Sequence, residues 1–428
     1  MYVELQDRID SRSAAAGLPR CRFCAAPLRN TFVDLGMSPL CESYVPEERL
    51  GAMEPFYPLH VRVCERCLLV QLEEVVAPDE IFTEYAYFSS YSDSWVAHAG
   101  DYVNSAVERF ELDGDSLVME LASNDGYLLQ HVVERGIPAL GVEPAANVAQ
   151  AARARGIDTV VAFFGRELAA RLVAEGRWAD LLVANNVLPH VPDLNDFVAG
   201  MQRVLAPAGV ITIEFPHLAR LVAGNQFDTI YHEHFSYFSF LTAQTVLRAH
   251  GLEVFDVDEL ATHGGSLRVY AQRAPRRSGA GHPLSPRVTE LAERERALGF
   301  DRLEGYGTFA PRVERTKWRL LEFLIECRRD GKRVAGYGAP GKGNTLLNYC
   351  GIRTDLLEFT VDRNPYKQGQ FLPGTHIPIR HPKALEHARP DFVLILPWNL
   401  KDEIVSQLSY AREWDARLVV PIPEVEVL

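Results

Sequence analysis

The chain has 428 residues, of which 47% are hydrophobic and 24% are charged, a composition typical of an ordinary globular protein. This length predicts two or three domains. The formal net charge of −13 argues against nucleic acid as a partner, because phosphate groups would be repelled. The sequence contains no apolar run long enough to span a bilayer and no signal-peptide pattern at its start. We therefore expect a cytoplasmic monomer with no membrane partner.

Two C-x-x-C pairs lie between residues 18 and 75 and predict a structural zinc site. Cys21 and Cys24 form one pair, and Cys64 and Cys67 form the other. Four thiolates suit a closed tetrahedral zinc site, which would stabilise a domain too small to bury much apolar surface. The long gap between the pairs requires a folded loop. Substitute ligands at Cys41 and His60, a redox dithiol and unligated thiols remain as alternatives.

Alternating strand and helix patterns between residues 79 and 275 predict a doubly wound sheet. A buried strand ends at Leu121, a tight turn follows it, and a second strand ends at Glu143, where a carboxylate can bind both ribose hydroxyls. A third strand leads to Asn185 and Asn186. Ligands of such sheets bind beyond the carboxyl ends of the strands, so we expect the cofactor to contact these residues: Glu120, Ala122, Asn124, Gly126, Tyr127, Leu128, Glu143, Pro144, Asn185 and Asn186.

The turn after the first strand favours S-adenosylmethionine over NAD. A dinucleotide needs a G-x-G-x-x-G turn, and only Gly126 of that pattern is present. Glu120 would also repel a pyrophosphate and attract a sulfonium cation. A fold of this type without any cofactor is the other alternative.

Residues 231–238, with the sequence YHEHFSYF, follow a strand and predict a catalytic loop. In a tight turn, Tyr231 and His234 would lie on the same side, with Glu233 close by. A phenol, a carboxylate and two imidazoles suit the removal of a proton from a weak carbon acid. A polar loop that satisfies its own hydrogen bonds, or a metal site formed by the two histidines and the glutamate, would be the alternatives.

The last third of the chain predicts a second strand-turn-helix unit at residues 333–345. Small residues and Lys342 stand between its strand and its helix, where they could hold a diphosphate. A purely structural turn is the alternative. Asp362 ends the next strand, and a later strand leads to Trp398 and Asn399. Trp398 could stack on a base or belong to the core.

A Pro-, Gly- and Arg-rich linker at residues 274–283 separates the second and third segments. We expect an α/β protein with a zinc-binding domain at residues 1–78, a Rossmann-like S-adenosylmethionine domain at 79–278 and a C-terminal Rossmann-like domain at 279–428.

Several motifs together resemble the nucleotide-sugar C-methyltransferases of deoxysugar and antibiotic biosynthesis. They are the two C-x-x-C pairs, ELASNDGYL at 120–128, NVLPH at 186–190, YHEH at 231–234, THGGSLR at 262–268 and the glycine-rich loop at 336–344. The resemblance extends over nearly the whole chain. Two departures are Ala122, where glycine is common, and Pro340-Gly341, where two alanines are usual.

The resemblance implies transfer of a methyl group from S-adenosylmethionine to a ring carbon of a dTDP-4-keto-deoxysugar, with structural zinc. It implies that His234 matches the base, with Tyr231, Glu233, His190 and Tyr85 around the sugar. We expect a base-generated enolate, with Tyr231 or His190 donating to its oxygen and Glu233 orienting an imidazole or a sugar hydroxyl. The residues expected to hold the substrate are His263, Arg268, Tyr337, Gly338, Lys342, Gly343, Asn344, Asp362, Trp398 and Asn399.

Carbon C3 is the expected methylation site, with C5 methylation or an additional 4-ketoreductase activity as alternatives. An NAD-dependent sugar ketoreductase would use a similar fold. A nonenzymatic zinc-ribbon binding module is the alternative from another class, but it leaves the YHEH cluster without a role.

Overall fold

The computed structural model describes residues 18–74, 76, 89–274 and 281–428. These residues form three β-sheets of four, seven and six strands, connected by helices. The architecture is the predicted α/β arrangement, with a small N-terminal sheet followed by two larger sheets that contain parallel strands.

The N-terminal sheet consists of three consecutive antiparallel strands and one strand from much later in the chain. The consecutive strands are β1 (Asn30–Ser38), β2 (Tyr57–Val63) and β3 (Val70–Leu72). The short strand Ser236–Tyr237 pairs with β3 through Val70 and Gln71. The loop predicted between the two C-x-x-C pairs is therefore mainly the β1–β2 hairpin.

The central sheet has the order β10-β11-β8-β7-β4-β5-β6. Its strands and the short strand β9 are β4 (Val118–Leu121), β5 (Ala139–Val142), β6 (Asp158–Val160), β7 (Ala179–Asn185), β8 (Leu205–Pro216), β9 (Ser236–Tyr237), β10 (Leu252–Leu260) and β11 (Ser266–Arg273). Strands β4 to β8 are parallel, and β10 and β11 extend the sheet as antiparallel strands. The chain first builds outward from β4 through β5 and β6, and then returns to β7. The carboxyl ends of β4 and β7 thus form a topological switch point, where such sheets bind ligands.

Within the described ranges, eight α-helices follow the strands of the central sheet or flank them. They are α1 (Asp93–Phe110), α2 (Leu129–Val133), α3 (Ala146–Ala154), α4 (Arg166–Ala174), α5 (Leu194–Val204), α6 (Leu218–Ala223), α7 (Phe240–Ala249) and α8 (Pro286–Ala297). Helix α1 begins where the Ser92 side chain accepts a hydrogen bond from the Trp95 amide, which caps the helix. The middle of the sheet is buried on both faces, in agreement with the near-continuous apolar sequence of β7 and β8.

The C-terminal sheet has the order β14-β13-β12-β15-β16-β17. A long helix, α9 (Phe309–Arg329), precedes it. The remaining elements are β12 (Val334–Tyr337), α10 (Gly341–Cys350), β13 (Thr360–Val361), β14 (Ile379–Arg380), α11 (Ala384–Ala388), β15 (Phe392–Ile395), α12 (Lys401–Gln407), β16 (Arg417–Val420) and β17 (Glu426–Val427). The chain reverses its direction of growth between β12 and β15, so a second switch point lies at the loops that begin at Gly338 and Leu396.

The N-terminal sheet and the C-terminal region share one apolar core. Phe32 of β1 stacks on Phe309 of α9, with ring centroids 4.7 Å apart, and Val33, Val61 and Leu346 belong to the same buried cluster. The domain boundaries predicted at 78/79 and 278/279, and most of the predicted linker, fall outside the described residues and stay predictions. In the described ranges, no helix is long and apolar enough to cross a membrane.

Candidate active site

The four cysteines of the two C-x-x-C pairs come together at the edge of the N-terminal sheet. Their sulfur atoms all lie within 4.8 Å of one another, and the Cys21–Cys67 and Cys24–Cys64 Sγ pairs are each 3.5 Å apart. Tetrahedral zinc with Zn–S bonds of about 2.3 Å requires sulfur atoms about 3.8 Å apart, so the cluster fits zinc. The metal would stabilise the fold, because four protein ligands leave no open position for a substrate.

The substitute ligands considered from the sequence are held elsewhere. The Cys41 thiol lies 3.7 Å from a Glu233 carboxylate oxygen, and the His60 ring is hydrogen-bonded to the Thr31 hydroxyl at 2.8 Å. A residue that sequence reasoning missed is Gln71, whose side-chain amide donates to the Cys21 sulfur at 3.1 Å. Hydrogen bonds of this kind orient metal ligands, but no local motif marks the residue that donates them.

The turn after β4 makes a narrow cradle at the central switch point. Ala122, Asn124 and Gly126 all have positive φ angles, of 55°, 50° and 79°. The φ of Gly126 and the short distance of 2.2 Å from a Cβ atom there to the end of the Ile157 side chain both favour glycine at this position. The positive φ of Ala122 gives a physical reason why glycine is common at this position among the proteins that the chain resembles.

Glu143 supports this turn from the end of β5. Its two carboxylate oxygens accept hydrogen bonds from the backbone amides of Asn124 and Ala145, each at 2.9 Å. Burial raises the pKa of Glu143 and raises the pKa of Glu120 well above its ordinary value. The raised pKa favours the neutral form of Glu120, so its charge does not distinguish a cationic cofactor from a pyrophosphate. The glycine-poor turn still disfavours a dinucleotide.

Unsatisfied polar atoms surround the cradle. Among the described residues, the buried atoms without a hydrogen-bond partner include Glu120 Oε2, Ser123 Oγ, Asp125 Oδ1, Asn185 Oδ1 and both amide atoms of Asn186. Buried polar groups in proteins are nearly always paired, so this concentration at the carboxyl ends of β4 and β7 indicates a polar ligand. The hydroxyl, amino and carboxylate groups of S-adenosylmethionine fit these donors and acceptors. When bound, it supplies an electrophilic methyl group.

Replacing Glu143 tests the cradle. The amide side chain in Glu143→Gln has one oxygen, so it can accept from only one of the two backbone N–H groups that the carboxylate now holds. We therefore expect the dissociation constant for S-adenosylhomocysteine, measured by calorimetry, to rise about tenfold. Glu175→Gln, which changes an exposed carboxylate at the end of α4, is the matched control and should bind as the unchanged protein does. Equal constants for both variants would remove Glu143 from the cofactor site.

A tight turn brings the predicted proton-transfer residues together. The His234 amide donates to the Tyr231 carbonyl at 2.9 Å, and the two rings lie on the same side with centroids 4.1 Å apart. The His190 ring lies 4.7 Å from the His234 ring. The backbone holds the two segments together, because the Phe235 amide donates to the Pro189 carbonyl at 2.8 Å. We call residues 229–235 the His234 turn.

Backbone carbonyls fix the tautomers of both histidines. His234 Nδ1 is 2.9 Å from the Thr229 carbonyl oxygen, and His190 Nδ1 is 2.8 Å from the Glu233 carbonyl oxygen. Because carbonyls only accept, each neutral ring carries its proton on Nδ1 and keeps a lone pair on Nε2. Burial lowers the pKa of His234 well below its ordinary value and lowers that of His190 to about 4. Both rings are therefore neutral near pH 7.

The Glu233 and His232 side chains interact elsewhere. Burial, with a smaller contribution from Glu42, raises the pKa of Glu233 to about 7. The Glu233 carboxylate contacts the Cys41 thiol, so the Thr229 carbonyl is what orients the His234 ring. His232 Nε2 lies 3.2 Å from the Pro58 carbonyl oxygen. The three YHEH side chains considered as metal ligands thus have three different partners. Tyr85 lies outside the described residues.

Several predicted substrate residues gather at the C-terminal switch point. The Lys342 ammonium group donates to Asn399 Oδ1 at 2.8 Å and lies over the Trp398 ring, 4.9 Å from its centroid. Lys342 is close enough to lower the pKa of both His234 and His263, in each case as a smaller effect than burial. The Thr345 hydroxyl of α10, the helix that carries Lys342, donates to the Ile230 carbonyl of the His234 turn at 3.0 Å, so the base and the C-terminal switch point are adjacent.

The other predicted substrate residues have different surroundings. Arg268 of β11 forms a buried ion pair with Glu214, which lies directly opposite on β8, at 2.5 Å. The Asn344 amide donates to the Cys41 carbonyl at 2.6 Å, and Asp362 accepts from the Ala339 amide at 2.7 Å. Gly338 has a φ of 87°, and a Cβ atom there would lie 2.5 Å from Pro397. Gly343 packs against Leu396. Tyr337 lines a neighbouring cleft of about 630 Å³ with Arg363, His381 and Tyr410.

Comparisons with known proteins agree with this organisation. A zinc binding domain model matches residues 21–82, a methyltransferase domain model matches 95–257, and a C-methyltransferase C-terminal domain model matches 261–423. The C-methyltransferase NovU of Streptomyces niveus is 38% identical over 411 residues, covering 96% of this chain and 97% of NovU.

Two solved structures are also similar. Magnesium protoporphyrin IX methyltransferase from Synechocystis, with bound S-adenosylmethionine, is 16% identical, with a TM-score of 0.32, and covers 42% of this chain and 82% of its own. An S-adenosylmethionine-dependent methyltransferase from Anabaena variabilis is 13% identical, with a TM-score of 0.35, and covers 42% and 86%. With the identity to NovU over nearly the full length, the predicted family, zinc and methyl donor are confirmed, and the chain belongs to the S-adenosylmethionine-dependent C-methyltransferases with an N-terminal zinc-binding domain.

Proposed function

We propose that the protein methylates a ring carbon, C3, of a dTDP-4-keto-deoxysugar in deoxysugar or antibiotic biosynthesis, acting as a monomer. The observation that carries this proposal is that the His234 turn, with its neutral imidazole base, packs against α10, the helix that carries Lys342, through the hydrogen bond from Thr345 to the Ile230 carbonyl. A carbon nucleophile needs a base, and a diphosphate needs a cation. Both are present in one site.

The chemistry follows from the keto group. A ketone at C4 makes the hydrogen on the adjacent carbon removable, and Nε2 of His234 takes that proton. Tyr231 would donate a hydrogen bond to the enolate oxygen; His190, considered for this role from the sequence, has its one proton on Nδ1 and only a lone pair on Nε2. The cradle at the central switch point would hold S-adenosylmethionine, which would supply the methyl group to that carbon. Glu233, and Tyr85 by resemblance, would contact sugar hydroxyls. General-base catalysis would contribute about 10²–10⁴-fold.

The nucleotide end of the substrate would lie along the C-terminal switch point. Lys342 is the second residue of α10, where backbone amides also favour an anion. Tyr337, which lines the neighbouring cleft, directly precedes the Gly338 turn, and the cleft has room for part of a nucleoside. Asp362, Trp398 and Asn399 lie at the same sheet edge. The His263 ring packs against Trp95, with centroids 5.1 Å apart. Arg268 would act indirectly through Glu214.

The decisive experiment is incubation with labelled S-adenosylmethionine and a panel of dTDP-4-keto sugars. We expect label on C3 of at least one sugar. Label on C5 would show that C5, and not C3, is the carbon that loses its proton and is methylated. A second product reduced at C4 would indicate an additional ketoreductase activity. Bound nicotinamide absorbance would favour a sugar ketoreductase, and an absence of nucleoside binding would favour a zinc-dependent binding module. The molar mass of the purified protein, measured by light scattering, tests the proposed monomeric state.

The pH dependence of turnover provides a separate test. Because the pKa of His234 is held well below 6.5, its basic form persists through neutral pH, and activity should be lost only as the pH falls below the ordinary range of histidine. An inflection near pH 7 would belong to Glu233 and should disappear in Glu233→Gln. An inflection at pH 6.5 that Glu233→Gln retains would contradict the neutral, buried state of His234.

A further inference from the structure

One buried carboxylate has no part in the chemistry described above. Asp228 lies in the short 3-10 helix Phe227–Thr229 and is fully buried. Its Oδ2 atom accepts a hydrogen bond from Trp398 Nε1 at 2.6 Å, whereas its Oδ1 atom has no partner among the described residues. A buried carboxylate is costly to keep unless its charge is compensated.

The compensating charge belongs to the C-terminal switch point. The Trp398 indole that donates to Asp228 also lies under the Lys342 ammonium group. Asp228 supports the charged form of Lys342, whose pKa is lowered by burial, and Lys342 opposes the effect that burial has on Asp228. The Asp228 carboxylate thus fixes the orientation of the Trp398 indole and favours the charged form of Lys342.

The same 3-10 helix supports the base. The carbonyl of Thr229, the next residue after Asp228, accepts the hydrogen bond from His234 Nδ1 at 2.9 Å. A second contact fixes the segment to α10, because the Thr345 hydroxyl donates to the Ile230 carbonyl at 3.0 Å. A shift of the helix at Asp228 would therefore rotate the imidazole away from its direction of proton transfer.

We propose that Asp228 is a positioning residue that couples anion binding at Lys342 to the orientation of His234. This inference rests on the proposed function, since it assigns a diphosphate to Lys342 and a proton transfer to His234. The charged and titratable groups around Lys342 are Asp228, His234 and His263, and those around Asp228 are Lys342 and Cys350.

Two substitutions separate the geometric role from the electrostatic one. Asp228→Asn keeps an oxygen that can accept from Trp398 but removes the charge. Asp228→Ala removes both. The measurements are the affinity for dTDP alone between pH 6 and 9, the affinity for S-adenosylhomocysteine, and kcat and KM for methyl transfer.

We expect Asp228→Ala to lower kcat by about tenfold or more, because a displaced base is out of line, while leaving the affinity for S-adenosylhomocysteine unchanged. Asp228→Asn should restore kcat at pH 6.5 to within about twofold of the unchanged protein. Affinity for dTDP requires the protonated lysine and is lost as the pH rises. Because Asp228→Asn lacks the carboxylate that favours the charged lysine, it should lose affinity for dTDP at a pH about one unit lower than the unchanged protein does.

Two results would overturn the inference: a kcat of Asp228→Ala equal to that of the unchanged protein, or a dTDP profile of Asp228→Asn that does not move. If Asp228→Ala also loses S-adenosylhomocysteine binding, its fold is damaged, and the dTDP profile of Asp228→Asn decides. The dTDP measurement does not depend on turnover. If no keto sugar is methylated but the dTDP profile shifts, the proposed function fails while the electrostatic coupling stands.

Discussion

His234→Ala should abolish methyl transfer, lowering kcat by about 10²–10⁴-fold, and should leave the affinity for S-adenosylmethionine nearly unchanged. The reason is geometric: His234 hydrogen-bonds to Thr229 and lies against Tyr231 and His190, whereas the cofactor cradle is built by β4, β5 and β7. The matched control is His387→Ala, which removes an exposed histidine of α11 and should keep full activity.

Hydrogen exchange separates proton removal from methyl transfer in the same variant. The enzyme with a dTDP-4-keto sugar and S-adenosylhomocysteine in deuterated water should exchange the acidic hydrogen, although no methyl group is available. His234→Ala should lose this exchange while dTDP still binds through Lys342. Exchange at an undiminished rate in His234→Ala would transfer the role of base to Tyr231 or His190.

Cys67→Ser should produce the second large effect. Metal analysis of the unchanged protein should give one zinc per chain, and the variant should give nearly none, because a three-ligand site is weaker and open. We expect a lower melting temperature and a loss of turnover greater than the loss of cofactor affinity. The reason is that β3, which begins three residues after Cys67, pairs with β9 directly after the His234 turn.

Cys327→Ser is the control for the zinc experiment, since it changes a buried cysteine of α9 far along the chain from the four metal ligands. It should retain zinc and activity. A Cys67→Ser protein that keeps its melting temperature and its methyl transfer would show that zinc stabilises neither the sheet nor the turn.

Local patterns predicted the parts of the site that depend on neighbours in sequence. The spacing within each C-x-x-C pair lets two thiolates reach one ion, and the compact YHEH motif predicts a turn that places Tyr231 and His234 together. The polar turns at the carboxyl ends of the predicted strands indicated where a sheet of this type binds its ligand. Each of these features is decided within a few residues.

Contacts between distant segments could not be predicted in this way. Cys41 and Glu233 are 192 residues apart in sequence, and Asp228 meets Trp398 across 170 residues. Arg268 carries a charge suited to a substrate, but the β8–β11 register puts it opposite Glu214. Only strand register and domain packing decide such pairs, and a single sequence does not contain a periodic signal for either.

The pairing of β9 with β3 has a consequence for engineering. A chain cut to begin after residue 78 would lose the strand that covers β9 and would expose the apolar residues that β1 packs against α9. Open strand edges and apolar patches promote aggregation. Chimeras designed to exchange sugar specificity among relatives should therefore transfer residues 18–74 and 227–240 as one cassette, even though some 150 residues separate them in the sequence.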